Sequence, residues 1–262
     1  MFCLDWLHTS LSVYPRIFLS DWLRYLIPAT IAFTFFYILA RDRLRHRKIQ
    51  AVKQEAKQYR REFFYSMLSA AVFALVGLGM FWMIKLGLSQ VYNEISANGI
   101  PYFALSIAIA LVIHDTYFYW THRLLHTRFF FRYVHRIHHQ STAPSPWAAY
   151  AFHPIEALIQ GLIGPILISI LPIHPAALGI FLAIQIVRNV LGHSGYEIFP
   201  RSFANSGFLR LFQSNTEHDL HHRFTKGNYA LYFTWWDRLL STDRADFLET
   251  FRKTTRSKGE AI

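Results

Sequence analysis

The sequence predicts an all-α integral membrane protein, with about four transmembrane helices and a helical, histidine-rich cap on one face. Three observations carry this expectation. Hydrophobic residues make up 53% of 262 positions and mean hydropathy is +0.18, well above what a soluble core needs. Long runs carry no Asp, Glu, Lys or Arg. Twelve of the fourteen histidines lie between residues 114 and 222, grouped where the apolar runs end.

The elements follow in order. Residues 22–40 are apolar except for Arg24 and read as a first span; residues 1–20 lack the cleavage pattern of a signal peptide, so the N-terminus is expected to stay on the protein. Nine of the 27 Lys and Arg residues then fall in 41–62, without Gly or Pro, which predicts a helix continuing out of the membrane or along its surface. A basic block beside a span is a topology signal that assigns it to the cytoplasm, and it accounts for the charge of +11 without nucleic acid. Residues 63–84 are uncharged over 22 positions, about 33 Å of helix and enough to cross. The loop 85–101 holds one Lys and one Glu, so it falls on the opposite side; a third span at 102–121 returns. Residues 157–187 carry no Asp, Glu, Lys or Arg but are broken by PIHP at 172–175, and two tilted helices or a re-entrant hairpin both fit. The chain is polar and aromatic from about 193. The single cysteine, Cys3, can form no internal disulfide and leaves thiolates out of any metal site.

The histidines carry the chemistry. His122 and His126 are spaced i, i+4 and share one helix face. His135, His138 and His139 are spaced i, i+3, i+4, and His218, His221 and His222 repeat that spacing eighty residues later. His193 stands at the cytoplasmic end of the last apolar run. The predicted topology brings all nine to one membrane surface. So dense a cluster would repel itself when protonated, and burying it neutral needs a partner for every ring nitrogen. Metal meets that need. Nine ligands exceed one ion; structural zinc favours cysteine, magnesium and calcium favour oxygen, and imidazole suits iron, copper, nickel and zinc. Two irons, each with four or five nitrogens and a position left for oxygen, would account for the count. Such a site at a membrane surface implies attack on an unactivated lipid C–H bond.

The stretches HDTYFYWTHRLLH, HRIHH, PSPWAAYAFHPIEALIQ, HSGYE, EHDLHH and NYALYFTWWDRLLST occur in order from about 110 to 243. This series resembles the fatty acid hydroxylase superfamily, and within it the sterol desaturase branch, including the sterol C-5 desaturase group and its bacterial relatives. The resemblance implies a four-helix membrane scaffold under a cytosolic histidine cap holding two iron ions, with O2 as cosubstrate. It implies hydroxylation or desaturation of a sterol or fatty acyl lipid, with electrons from a separate ferredoxin-like or small haem carrier and its reductase. The family's histidine boxes fall on His122 and His126, on His135, His138 and His139, and on His218, His221 and His222, with His193 matching a further histidine. The domains then read as membrane helices over 1–100, the catalytic domain over 101–245 and a tail over 246–262. No electron-transfer domain is expected in the chain. The location is a bacterial inner membrane, or the endoplasmic reticulum in a eukaryote.

Six further residues are candidates for supporting the metal ligands. His114 lies eight residues before His122, about 12 Å deeper along a helix, too far for the same metal pair. Asp115 either holds an imidazole in its tautomer or pairs with Arg123. His153 and Glu156, in FHPIE, either support a ligand or cap the next helix. Asn189 stands where some relatives have another histidine, as ligand or support. Glu217 replaces a histidine found in many relatives, and either orients an imidazole or is a solvated charge. His8, His46 and His174 receive no role. Trp147, Tyr150, Phe152, Trp235 and Trp236 either line a substrate entrance or pack in an interfacial belt.

Two rivals remain at this level. A divalent-metal transporter should place its ligands at the bilayer midplane, not at helix ends. A bis-histidine haem protein would leave most of the nine unexplained.

Overall fold

Four helices are long and apolar enough to cross a membrane in the computed structural model, which describes residues 2–256. They are α1 (Phe2–Phe33, prolonged by a π-helical turn Thr34–Leu39), α2 (Ala56–Lys85), α3 (Gly99–Leu125) and α8 (Pro175–Gly192). Between α3 and α8 come the short helices α4 (Arg128–Phe130), α5 (Arg136–His139), α6 (Pro154–Gly161) and α7 (Ile163–Ile170). After α8 follow α9 (Asn215–Phe224), α10 (Trp235–Leu239) and α11 (Phe247–Thr254). No β-strand occurs among the described residues, only isolated bridges.

The first span is longer than its apolar run because α2 holds its N-terminal half. Trp6 stacks on Trp82 at 5.4 Å, Trp82 Nε1 donates to Ser10 Oγ (3.0 Å) and Tyr14 donates to the Ala71 carbonyl (3.1 Å). Small buried residues on α2 (Ser66, Ser69, Ala70, Ala74) let the helices approach. Leu11, Ile31 and Leu75 point outward and stay exposed, as lipid-facing residues would.

The basic segment departs from expectation. No helix runs through 41–55; the chain turns at Arg41–Arg47 and continues extended until α2 begins at Ala56. Tertiary partners outbid helix propensity here. Ile49 N donates to the Gly195 carbonyl (3.0 Å), the Arg47 carbonyl accepts from Glu197 N (2.9 Å), and Gln50 reaches the Thr142 carbonyl and Asp219, each at 2.8 Å. The segment is a strap bound across the cap.

The apolar run 157–187 becomes a short pair, α6 and α7, and the single eighteen-residue α8. Pro172 and Pro175 mark the break, where His174 Nδ1 accepts from Ala176 N (3.1 Å) and caps α8. The predicted tail also has structure: Phe247 and Phe251 of α11 are buried against Phe203 and Leu220, while residues 257–262 lie outside the described residues.

The C-terminal ends of α1, α3 and α8 and the start of α2 meet at one end of the bundle. Tyr37 donates to the Ser194 carbonyl (3.1 Å) and Gln58 to the Ala143 carbonyl (2.9 Å). There α5, α9 and the loops form the cap.

Candidate metal centre

The nine predicted histidines gather into two groups. One holds His122, His126, His135, His139 and His221; the other holds His138, His193, His218 and His222. In the first, Nε2 atoms form a closed ring: His135 to His126 is 3.1 Å, His126 to His221 3.2 Å, His221 to His139 3.2 Å and His139 to His135 3.0 Å. In the second, His193 Nε2 lies 3.0 Å from that of His218, 3.1 Å from His222 and 3.3 Å from His138. Each H-x-x-H-H run is divided between them. His135 and His139, one turn apart, face the group of five while His138 turns to the four; His218 and His222 face the four while His221 turns to the five. A run of this spacing serves both groups because successive side chains rotate by about 100° around the helix.

The outward nitrogens fix the tautomers. His122 Nδ1 donates to the Tyr229 carbonyl (2.8 Å), His193 to Asn189 (2.7 Å), His221 to Gly227 (2.7 Å) and His222 to Ser141 (3.0 Å). A carbonyl can only accept, so each of these Nδ1 atoms carries the proton and each Nε2 presents a lone pair. His193 and His222, both fixed this way, face one another with Nε2 lone pairs at 3.1 Å and no hydrogen between them, a contact that needs a cation. Imidazole nitrogens about 2.1 Å from a metal stand roughly 3.0–3.4 Å apart, so the residues fit metal ions in both groups. Burial keeps the rings neutral and ready to bind: it drives His193 down to about 4, and it drives His139 and His221 well below the usual histidine range, helped by neighbouring imidazoles.

Loops rather than side chains supply most of the acceptors, and buried polar groups set those loops. Gly227 has φ +75, and a Cβ there would stand 2.6 Å from the Thr242 carbonyl, so only glycine brings its carbonyl to His221. Asp237 accepts from the N–H groups of Tyr229 and Ala230, both at 2.9 Å. Glu197 accepts from Thr216 N (2.8 Å) and Oγ1 (2.6 Å), fixing the start of α9. Glu62 accepts from Gln58 (2.7 Å) and from Ser145, holding the 141–150 loop. Sequence reasoning missed all four. Asp237 and Glu197 sit inside quoted motifs and were the available signal; Glu62 is hidden in the basic block.

The six supporting candidates separate. Glu156 Oε1 lies 2.7 Å from His135 Nδ1, both fully buried. His153 caps α6 instead, its Nδ1 accepting from Ile155 N (3.2 Å). Asn189 meets His193 through its main-chain carbonyl and spends its side chain on the Ala149 carbonyl (2.6 Å), outside both groups. His114 pairs with the Tyr232 hydroxyl (2.8 Å), also outside them. Asp115 meets neither an imidazole nor Arg123; it accepts from Tyr232 N (2.8 Å) and Phe233 N (3.3 Å). Glu217 is neither solvated nor against an imidazole. It is buried in a capping box with Ser214, accepting from Ser214 N (2.6 Å).

Beneath the histidines lies a cavity of about 500 Å³ between α1, α2, α3, α6 and α8. Its walls reach the centre through Phe118, whose ring is 4.9 Å from His122, and Phe152, 4.9 Å from His138. Of the five predicted entrance aromatics, Tyr150 and Phe152 line this cavity. Trp147 packs on Phe33 and Phe63, Trp236 on Tyr119 and Trp120, and Trp235 on Phe233.

Fold and site together define a membrane-helical protein with a paired imidazole centre above an apolar cavity. A family model described as fatty acid hydroxylase matches residues 107–242. Rat methylsterol monooxygenase 1 is 38% identical over 143 residues, 54% of this chain and 48% of the rat protein. The Delta(7)-sterol 5(6)-desaturase of Gibberella zeae is 30% identical over 226 residues, 86% of this chain and 66% of the fungal one. Mouse lathosterol oxidase is 30% identical over 224 residues, 84% of this chain and 71% of the mouse protein. The chain thus spans from about half to about seven tenths of the length of these relatives. No solved structure matches it significantly. The chain belongs to the fatty acid hydroxylase family, in its sterol desaturase branch.

Proposed function

We propose that the protein is a membrane-bound non-haem diiron oxidase that uses O2 to hydroxylate or desaturate a lipid of the sterol or fatty acyl type. The observation that carries this is the convergence of two sets of imidazole Nε2 lone pairs at the inner end of an apolar cavity. The five-histidine and four-histidine groups are the ligand sets. Two iron ions held there would supply oxygen activation and the removal of hydrogen from an unactivated C–H bond. The chain's own part is positioning. Main-chain carbonyls of Tyr229, Asn189, Gly227 and Ser141 keep protons on Nδ1 and so aim Nε2 inward. Glu156 does the same for His135. Phe118 and Phe152 close the cavity beneath the rings, holding an apolar chain or ring system and keeping water away. Electrons come from a separate carrier protein, for which the cap at the cytoplasmic end of the bundle is the accessible face.

Metal content of protein purified anaerobically in detergent tests the reading. About two irons per chain are expected, with loss of both in a His138→Ala, His139→Ala double variant, since the two residues belong to different groups. A wild-type protein that binds no metal would overturn the oxidase.

A further inference from the structure

The cavity is apolar where it meets the histidines, but a ring of polar side chains crosses it deeper in the bundle. His114 precedes His122 by eight residues on α3, and Gln185 precedes His193 by eight on α8. Both therefore sit about 12 Å below the histidine layer, on two different walls at one depth. Gln160 joins them from α6: Tyr117, one turn from His114, donates to the Ile159 carbonyl at 2.6 Å and ties the helices at this level. Tyr150, whose hydroxyl is 3.5 Å from Gln185 Oε1, and the Asp21–Arg24 pair on α1 complete the ring.

These groups are not satisfied by the protein alone. Gln160 Oε1 is buried with no hydrogen-bond partner. His114 uses only Nδ1, on Tyr232, which leaves Nε2 as the ring nitrogen for the cavity. Polar side chains inside a membrane bundle are costly and normally answer one another or a bound molecule. At the ring itself the charges cancel, because Asp21 and Arg24 meet at 2.6 Å; Arg16, the other cation of the lining, stands five residues before Asp21 on α1, farther from the histidine end. It suits an oxygen function that donates and accepts without carrying charge.

We infer that this ring is a binding subsite for a neutral oxygen function, a hydroxyl first of all, on the lipid that fills the cavity. The inference rests on the reading of that cavity as the substrate site. Its consequence is a ruler: the C–H bond presented to the histidines lies roughly 12 Å from the anchored oxygen. The substrate is then an elongated lipid with its oxygen remote from the position oxidised.

Displacement of tritiated octadecane from the detergent-purified protein tests this without turnover. 1-Octadecanol should compete about tenfold better than unlabelled octadecane, the worth of one or two hydrogen bonds, and better than stearate. Gln160→Leu with Gln185→Leu should bring the alcohol within about threefold of the alkane while octadecane affinity holds. Gln160→Leu alone decides the matter if the double variant does not fold. Equal competition by alkane and alcohol in the wild type would overturn the subsite, as would stearate binding tightest or full selectivity surviving Gln160→Leu in folded protein. Metal content, measured on the same samples, reports separately on the oxidase, so either reading can fail alone.

Discussion

Among single residues Glu156 acts most directly on the centre. Its carboxyl is, among the described residues, the one side-chain oxygen hydrogen-bonded to any of the nine rings, and it is buried. Glu156→Ala would leave His135 Nδ1 unpaired and its ring free to rotate. Metal affinity of the five-histidine group should fall by roughly 10–100-fold, read by chelator competition, and Glu156→Gln should recover part of it. Protons compete for the same rings. His193, held near 4 by burial against a usual 6.5, binds a proton in the unfolded chain at pH 5 but not in the folded one. Such groups stabilise fully above pH 6.5 and lose that contribution as pH falls toward the folded value. Asp219, raised to about 7, and Glu217, raised to about 8, act oppositely: burial makes the folded state keep protons that the unfolded state releases, so their contribution declines as pH rises above about 4. Glu197 shifts the same way. Nine shifted histidines outside the spans outnumber the raised carboxyls, which with Asp237 and Glu156 make five. The melting temperature of metal-free protein should therefore drop between pH 7 and pH 5, and a rise would show that the carboxyls dominate.

At the scale of elements, the centre depends on loops docked by buried acids. Asp115 receives the N–H groups of Tyr232 and Phe233, and so holds the segment that delivers the Tyr229 carbonyl to His122. Asp115→Ala would strand two buried donors, at about 1–3 kcal/mol each. Thermal unfolding should shift down by several degrees, with partial rescue by Asp115→Asn, which keeps one acceptor oxygen; an unchanged melting curve would remove Asp115 from this role. This dependence explains what the sequence could and could not reveal. The nine histidines were legible because residues proposed to bind metal must be particular side chains at helical spacing, and all nine come together in two groups. The division of each run between two groups was not, because a shared face and a split face have the same spacing. Partners such as the Gly227 and Ser141 carbonyls leave no side-chain signature. The strap at 41–55 misled for a related reason: its residues have helical propensity, and only the cap they bind overrides it. The spans were legible from missing charge, but not the N-terminal start of α1, which is set by packing on α2.

For the molecule as a whole, the ends of the bundle differ in charge, and that difference predicts its orientation. The strap carries Arg41, Arg43 and Arg45 exposed at the histidine end. At the opposite end, the connection between α2 and α3 holds a single acidic residue, Glu94, after Lys85 closes α2. Basic residues within short loops stay in the cytoplasm during insertion, so the histidine cap should face the cytoplasm and the α2–α3 connection the far side. An electron carrier in the cytoplasm would then meet the cap, while the lipid enters from the bilayer through the cavity walls. Single cysteines placed on a Cys3→Ser background test this with a membrane-impermeant maleimide. Gln90→Cys should label in intact cells once any outer barrier is opened, and Arg45→Cys only after lysis. The reverse pattern would turn the protein over, putting the histidines on the side without cytoplasmic reductant and removing the proposed route for electrons.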